Sequence, residues 1–323
     1  MFPRGILLAS ALLCGPALHA QTRPDAVGGA PNLDQSSQAQ DVRFRNSSGD
    51  RMTVQVRLGG AGPYRFLVDT GADRSAVSSA LVSRLALANS GSAQLHSSTG
   101  VSTVTTARVP SLEFAKPAQK MIDAAVLEDA YMGADGIVGV DLLRSQRVQI
   151  DFEKNLMTIV PSKQPDFREE PGTIVVEARR KNGRLILTDA VANDQDVTVV
   201  LDTGSEICVG NSALRARLLR RNLVDPGQTV QLMSVTGETL TGDYMFLRKL
   251  RMGGVSLENL AVVFLDAHTF KQLKLDKTPA LLLGMNAIRA FKKVSIDFAN
   301  RKFRVVVPET SELQTRLAMR VRG

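Results

Sequence analysis

Two stretches of the chain end an apolar strand with the same three residues, and this repetition limits the possible folds more than any other feature. Residues 66–78 read FLVDTGADRSAVS, and residues 199–211 read VVLDTGSEICVGN. A single Asp-Thr-Gly could be no more than a turn that ends a strand, because Asp and Gly are common turn formers. Two copies within a repeated frame are instead typical of a duplicated unit.

The repeat extends well beyond these two segments. Each half begins with a predicted β-hairpin that leads to the aspartate, followed by a helix, a second hairpin, a strand, an apolar-Gly step and a closing hairpin. The order is preserved, and the separation between equivalent residues of the two halves grows only from 133 residues, at Asp69 and Asp202, to 146 residues, at Asp151 and Asp297. A unit of this size is too long for a solenoid repeat. It predicts two similar lobes that pack about a pseudo-two-fold axis.

The helix in each half has a matching start signal. Ser78 and Asn211 each stand nine residues after the aspartate, where their side chains can accept a hydrogen bond from the first helical turn. The first helix is predicted over roughly 79–88. In the second half, the basic cluster RARLLRR at 215–221 has helical spacing, which is typical of a solvated helix face.

The length of 323 residues also favours two lobes, because single hydrophobic cores seldom grow that large. Apolar residues make up 44% of the chain and charged residues 22%, an ordinary globular composition that can bury a core. The chain turns polar and proline-rich around 161–172, which marks the lobe boundary. The predicted organisation is a signal peptide over 1–20, a flexible leader over 21–45, a first lobe over 46–162, a linker over 163–172, a second lobe over 173–308 and a tail over 309–323.

The first twenty residues have the layout of a secretory signal peptide, with one arginine, an apolar run from Ile6 to Cys14, and small residues before Gln21. The run is short for a membrane span, so a retained anchor is the less favoured alternative and no stable span is expected after cleavage. Cys14 follows two leucines and not a small residue, which disfavours lipid attachment. The sequence therefore predicts export to the periplasm or to the exterior.

Composition argues against several other classes of protein. The formal charge is +8, but the basic residues are scattered, Trp is absent and aromatic residues are only 5%, which disfavours nucleic acid as a partner. Cleavage near Ala20 would leave Cys208 as the single cysteine, so no disulfide can form within the chain. His19, His96 and His268 lie far apart in the sequence and form no zinc motif. No metal and no cofactor is predicted.

Symmetry gives the two aspartates a specific chemistry. Equivalent residues near a two-fold axis meet, so Asp69 is expected to face Asp202. Two carboxylates about 3 Å apart cannot both ionise, so they share one proton and offer an acid and a base at the same pH. The glycines after them would let the backbone turn sharply, and the threonine hydroxyls could form hydrogen bonds across the lobes. The candidate supporting residues are Thr70, Gly71, Thr203 and Gly204.

The second hairpin of each half has a polar tip that contains glycine. The sequences are LHSSTGVSTVT from Leu95 and LMSVTGETLTG from Leu232. One interpretation is an ordinary surface hairpin, and the other is a pair of flaps that close over an extended chain. The repeat does not decide between them, because duplication would copy idle hairpins as well. Under the second interpretation the candidate binding residues are Ser98, Thr99, Gly100, Val235, Thr236 and Gly237.

At these positions the chain resembles the pepsin-like and retropepsin-like aspartic proteases, in a single-chain form with two lobes of retroviral-protease size. Residues 68–73, VDTGAD, are similar to the retroviral form of the motif, and residues 201–205, LDTGS, to the pepsin form. Residues 135–139, DGIVG, and 282–284, LLG, resemble the apolar-Gly step that this family threads beneath its active-site loops. The resemblance covers about residues 50–308. Neither tip carries the tyrosine expected of pepsin. With a flap in each lobe, two-sided closure of the retroviral kind is expected.

The resemblance implies a mostly β acid-protease fold with two retropepsin-like β-barrel lobes and the active site between them. It makes Asp69 and Asp202 the catalytic pair, the two threonines an inter-lobe lattice, and the hairpin tips flaps. The predicted protein is a monomeric aspartic endopeptidase that hydrolyses an extended polypeptide with a water activated between the aspartates. The alternative is a catalytically silent peptide-binding protein on the same fold. Retention of both carboxylates favours the enzyme, because a binder has no need of two acidic groups forced together.

Overall fold

The structure is a computed structural model of the chain, and it describes residues 52–114, 119–167, 170–221 and 228–308. It also gives the backbone of four short strands nearer the amino terminus, Leu7–Leu8, Ala11–Cys14, Gln40–Arg43 and Arg45–Asn46. The predicted tail over 309–323 lies outside the described residues, as do most residues of the predicted signal peptide and leader. The assignments of those segments stay predictions.

A sheet of eight strands forms the first lobe. Taken across the sheet, its strands are Arg45–Asn46, Met52–Leu58, Ala61–Val68, Gly136–Val138, Ala76–Ser78, Gln119–Leu127, Val101–Glu113 and Asn89–His96. The opening hairpin turns at Gly59 and Gly60, where φ values of 56° and 81° suit glycine. Its inner strand then ends at Val68 and leads directly to Asp69, as the alternating sequence pattern predicts.

A sheet of ten strands forms the second lobe. Taken across the sheet, its strands are Arg179–Lys181, Arg184–Ala192, Gln195–Leu201, Ala280–Leu283, Cys208–Gly210, Val255–Phe264, Thr239–Met252, Gln228–Ser234, Ala11–Cys14 and Leu7–Leu8. The seven strands from Arg184–Ala192 to Gln228–Ser234 repeat the spatial order of the seven matching strands in the first lobe. In both sheets the outer strand of the opening hairpin also pairs with the longer strand of the second hairpin. The predicted two-lobed, mostly β fold is confirmed.

A third sheet of six strands joins the two lobes. Taken across the sheet, its strands are Thr173–Glu177, Lys302–Val306, Lys293–Asp297, Gln146–Asp151, Leu156–Pro161 and Gln40–Arg43. Its seam is the antiparallel pair Gln146–Asp151 and Lys293–Asp297, one strand from the end of each lobe. The sequence predicted both closing hairpins but not that they pair with each other.

The helices of the described chain are short: Ser79–Leu85, Asp129–Met132, Val140–Leu143, Ser212–Arg220, His268–Gln272 and Met285–Ile288. Ser78 caps the first of them, because its Oγ accepts from the Leu81 N–H at 3.1 Å, as predicted. This helix ends at Leu85, earlier than the predicted Ala88, and Ala86 follows in a left-handed conformation with φ 47°. No helix in the described ranges is long and apolar enough to cross a membrane.

Buried apolar side chains continue from both lobes into the shared sheet. One connected cluster contains Phe66 of the first lobe, Ile296 of the shared sheet and Val199 of the second lobe, each with 0% of its surface exposed. A buried ion pair crosses the seam, with Arg147 Nη2 2.8 Å from Asp297 Oδ2. The lobes thus share one packed core, which sets the position of the two Asp-Thr-Gly segments relative to each other.

Candidate active site

The two Asp-Thr-Gly segments occupy matching places in the two lobes. Each follows the inner strand of the opening hairpin, and that strand pairs in parallel with a short strand that precedes a glycine. The aspartates continue this pairing, because Asp69 N–H donates to Val138 O at 3.0 Å and Asp202 N–H donates to Leu283 O at 3.1 Å. The backbone of each aspartate is therefore fixed by its own lobe.

The glycines after those short strands permit a close approach of the backbone. A Cβ on Gly139 would lie 2.6 Å from the carbonyl carbon of Arg74, and one on Gly284 would lie 2.5 Å from the carbonyl of Ile207. A side chain at either position would collide with backbone. These are the two apolar-Gly steps that the sequence predicted beneath the Asp-Thr-Gly loops.

Four hydrogen bonds of the threonines cross from one lobe to the other. Thr70 Oγ1 donates to Leu201 O at 3.0 Å and accepts from the Thr203 N–H at 3.1 Å. Thr203 Oγ1 donates to Val68 O at 2.7 Å and accepts from the Thr70 N–H at 3.1 Å. The reciprocal pattern is what equivalent residues at a pseudo-two-fold axis produce. The structure thus brings Thr70 and Thr203 together in the lattice that the resemblance implies.

The side chains of Asp69 and Asp202 are both fully buried at this crossing. Asp69 Oδ1 accepts from the N–H groups of Gly71 at 2.7 Å and Ala72 at 2.9 Å. Asp202 Oδ1 accepts from the Gly204 N–H at 3.1 Å. The carboxyl group of Asp69 also lies against the loop of the other lobe, since a Cβ on Gly204 would be 2.3 Å from Asp69 Cγ. Gly204 therefore has no room for a side chain.

Electrostatics link the two carboxyl groups. Burial and the neighbouring charge of Asp69 raise the pKa of Asp202 to about 8, against the opposing effect of Arg184 and of two backbone N–H groups. A carboxyl that keeps its proton to such a pH can donate a hydrogen bond and act as a general acid near neutrality. Two adjacent carboxyl groups are expected to share one proton.

Sequence reasoning missed Arg184, whose guanidinium reaches from the second lobe into the first Asp-Thr-Gly loop. It is 1% exposed, and its Nε donates to Gly71 O at 2.6 Å. Its Nη1 lies 3.0 Å from Asp73 Oδ1 and donates to Gln272 Oε1 at 3.1 Å. The repeat could have drawn attention to Arg184, because Arg184 and Arg51 occupy equivalent positions just before the apolar part of each opening hairpin.

The two predicted flaps both reach the opposite lobe. The first flap is the hairpin of Asn89–His96 and Val101–Glu113, and the second flap is the hairpin of Gln228–Ser234 and Thr239–Met252. At the first tip, Ser98 is fully buried and its carbonyl accepts from the His268 N–H at 2.6 Å, while Thr99 Oγ1 lies 2.8 Å from Ser97 Oγ. The turn closes through the Ser97 N–H to Gly100 O bond at 2.9 Å.

The tip of the second flap is built in a similar way. Gly237 N–H donates to Ser234 O at 2.9 Å, and Thr236 Oγ1 lies 3.0 Å from Ser234 Oγ. Val235 is 1% exposed, and Gly237 lies against the ring of Tyr131 in the first lobe. Ser98 of the first tip and Gly237 of the second therefore contact the opposite lobe, and the sequence did not predict these contacts.

Cys208 is a further candidate nucleophile among the described residues. Cys208 is buried, as predicted for a small core residue, and burial raises the pKa of its thiol to about 12. A thiol with such a pKa is a poor nucleophile at neutral pH. In the part of the chain that the structure describes, no three His, Cys, Asp or Glu side chains are grouped so that they could hold a metal ion.

Comparison with protein families gives a match to the family described as aspartyl protease, over residues 54–142 and 188–287. These two segments make up more than half of the chain. Each contains one Asp-Thr-Gly, one flap tip and one glycine of the apolar-Gly steps, so the match falls on equivalent parts of both lobes. No curated protein matches the chain.

Proposed function

Because the chain belongs to the aspartyl protease family, we propose that it is an aspartic endopeptidase whose catalytic groups are Asp69 and Asp202. The observation that carries this proposal is a pair of buried, interacting carboxyl groups, one from each lobe, beside reciprocal threonine hydrogen bonds. A turn with a purely structural role has no need of this arrangement, since burying two carboxyl groups together costs free energy.

In this mechanism a water bound between the carboxyl groups loses a proton to Asp69 and attacks the carbonyl carbon of the peptide bond. Asp202 holds the shared proton and donates a hydrogen bond to the carbonyl oxygen as negative charge develops there. The proton that Asp69 took from the water then passes to the nitrogen, which lets the C–N bond break and leaves a carboxyl group and an amine. The raised pKa of Asp202 supports its role as the acid. Asp69 accepts N–H bonds of 2.7 and 2.9 Å, shorter than the 3.1 Å bond that Asp202 accepts from Gly204, which supports Asp69 as the base, because such bonds favour a carboxylate.

The proposed substrate is a polypeptide in extended form between the flaps and the Asp-Thr-Gly loops. An extended chain can pair with exposed backbone groups of a hairpin, as in other strand-addition complexes. One chain supplies both aspartates, so we propose that a monomer is active. The predicted signal peptide would place this activity in the periplasm or outside the cell.

The test is cleavage of a peptide library by the chain from Gln21 onward, between about pH 3 and about pH 7, which spans ordinary carboxyl and imidazole pKa values. Asp69→Asn and Asp202→Asn are each expected to lower kcat/KM by at least about 10²-fold, the usual contribution of a positioned acid or base. Asp194→Asn is the matched control, because Asp194 is 85% exposed and its ion pair with Arg251 has little energetic value. Products are identified by mass spectrometry.

Circular dichroism establishes that each variant is folded before its activity is compared. Cleavage that survives in both Asn variants would show that another site does the chemistry. Tight peptide binding by the native chain without any cleavage would instead support the alternative, a catalytically silent peptide-binding protein.

A further inference from the structure

The two flap tips meet the opposite lobe at equivalent positions of the repeat. His96 of the first flap matches Met233 of the second, and His268 matches Tyr131, each pair being 137 residues apart. The first flap contacts His268, and the second flap contacts Tyr131. The equivalent contacts of the two flaps therefore differ chemically: the first involves a pair of imidazoles and the second an aromatic ring.

The contact of the first flap is polar. His96 Nδ1 lies 3.2 Å from His268 Nε2, and the two rings lie within 15° of parallel with their centroids 5.5 Å apart. Beside them, the His268 N–H donates to the carbonyl of the buried Ser98. The first flap is therefore held on the helix His268–Gln272 by one bond between side chains and one to its backbone.

The contact of the second flap is made by a glycine on an aromatic ring. A Cβ on Gly237 would lie 2.6 Å from Tyr131 Cζ, so the backbone of the tip rests directly on the ring. Tyrosine ionises only near about pH 10. Neither a glycine backbone nor a phenol ring changes its charge between about pH 4 and about pH 8.

We propose that the His96–His268 pair is a latch that holds the first flap closed and releases it in acid, while the second flap stays docked regardless of pH. The latch holds as long as one of the two imidazoles is neutral. It opens when both are protonated.

The physical basis is the hydrogen-bonding capacity of imidazole. A bond between two ring nitrogens needs one donor and one acceptor, which a neutral or singly protonated pair supplies. Two imidazolium rings present N–H groups and like charges to each other across 3.2 Å. Because the open flap binds one more proton than the closed flap, acid favours opening by up to about tenfold per pH unit.

The surroundings of the two histidines also disfavour the doubly protonated pair while the first flap is closed. Burial, then the charges of His96 and Lys271, lower the pKa of His268 in the closed arrangement. On the flap, the neighbours Ser97 and Val101 are uncharged. The carboxylates on the flanking elements already have partners, in the bond of Ser212 Oγ to Asp266 Oδ2 at 2.6 Å and the ion pair of Arg184 with Asp73 at 3.0 Å.

This inference deepens the proposed function and, for its effect on cleavage, rests on it. Asp202 keeps its proton to about pH 8, so the proposed acid of the pair is still protonated at neutrality. Access past a closed first flap would then limit cleavage at neutral pH. Acidification through the imidazole range would admit the substrate.

The test measures hydrogen exchange of the His268 amide, whose bond to Ser98 O exists while the first flap is docked. The Asp69→Asn chain is used, so that the measurement does not depend on turnover, and rates are divided by the intrinsic chemical rate at each pH. Protection of this amide is expected to fall by at least about tenfold between about pH 7.5 and about pH 4.5, because imidazole ordinarily gains its proton in this range and a doubly protonated pair cannot form the bond. Protection of residues 234–238 in the second flap is expected to stay within about twofold over the same range.

The matched variant is His268→Gln, whose amide group can donate to or accept from His96 in either protonation state. Its protection is expected not to change with pH, and His96→Gln serves as an independent second variant if the first does not fold. A pH-independent native protection, equal loosening of both flaps, or acid release in both Gln variants would overturn the latch. Acid release without any peptide cleavage by the native chain would leave the latch standing and remove the proposed function.

Discussion

At the scale of single residues, the proton held by the aspartate pair couples the stability of the fold to pH. Asp202 has a pKa of about 8 in the folded chain, whereas an unfolded aspartate ionises near about 3.9. Between these values the native state binds more protons than the unfolded state. The free energy of unfolding therefore falls as the pH rises, by up to about 1.4 kcal/mol per unit.

Asp202→Asn should remove this dependence, because an amide does not titrate. We expect the variant to be more stable than the native chain at about pH 7, by on the order of a few kcal/mol, with the difference shrinking toward about pH 4. Urea unfolding at several pH values measures the effect. Parallel pH dependences for the two proteins would contradict the raised pKa.

Asp297→Asn should change the pH dependence of stability in the opposite direction from Asp202→Asn. Burial alone would raise the pKa of Asp297, but hydrogen bonds from Asn300 and Arg147 bring it below its ordinary value. Its contribution to stability is present above the unfolded pKa and is lost as the pH falls through the folded one. Asp297→Asn should therefore lower the free energy of unfolding most at neutral pH and least in acid.

Arg184 links the stability of the fold to the chemistry of the aspartate pair. Arg184→Met should lower the free energy of unfolding by about 3–5 kcal/mol, because it strips a buried partner from Gly71 O, Asp73 and Gln272. Since the positive charge of Arg184 lowers the pKa of Asp202, its removal should also move the alkaline limb of cleavage to higher pH. A residue that only supports the fold would leave that limb in place.

The matched control for this prediction is Arg108→Met. Arg108 also pairs with an aspartate, Asp123, at 3.1 Å, but the two side chains are 52% and 48% exposed. We expect a loss below about 1 kcal/mol and no change in the pH profile of cleavage. Equal effects of the two substitutions would contradict the role given to Arg184.

At the scale of elements, the sequence predicted what local signals specify and missed what distant contacts add. Asn211 caps its helix as predicted, since its Oδ1 accepts from the Leu214 N–H at 2.9 Å. The same side chain also accepts from the Ala280 N–H at 3.1 Å and donates to Leu275 O at 2.8 Å. Those partners lie far along the chain, so no local pattern could reveal that this cap also anchors the strand before Gly284.

Two helices that receive the flap tips were not predicted. Asp129–Met132 has four residues and His268–Gln272 has five, so neither is long enough to show an apolar period. The sequence singled out both tips by their glycines, but the two histidines of the latch are 172 residues apart. Their contact follows only from how the lobes pack.

The two tip glycines predict different responses to the same substitution. Gly237→Ala should lower kcat/KM by at least about tenfold, because φ +84° disfavours alanine and the new Cβ would collide with the Tyr131 ring. Gly100→Ala is the matched control, since a Cβ there meets nothing within 4 Å. Adding Tyr131→Ala to Gly237→Ala should restore activity only in part, because the backbone strain remains. Equal activity of the two single variants would contradict docking of the second flap.

At the scale of the whole molecule, the repeat predicted two lobes and the residues that meet between them. The same motifs in the same order in both halves were sufficient to expect Asp69 near Asp202, because equivalent residues of a duplicated unit meet at the pseudo-two-fold axis. The shared sheet was not predictable in the same way. Its seam joins Gln146–Asp151 to Lys293–Asp297, and strand pairing at such a separation leaves no local signal.

The shared sheet and continuous core predict that the two lobes unfold together. Leu81 and Leu214 are repeat-equivalent, each three residues after its helix cap, and they are 1% and 0% exposed. Leu81→Ala and Leu214→Ala should each cost about 2–5 kcal/mol. Because the shared sheet couples the two lobes, calorimetry should show a single transition in each variant, moved to lower temperature by similar amounts. The calorimetric and van't Hoff enthalpies should be equal. Lobes that unfold independently would give two transitions, of which each substitution moves one and leaves the other where it was.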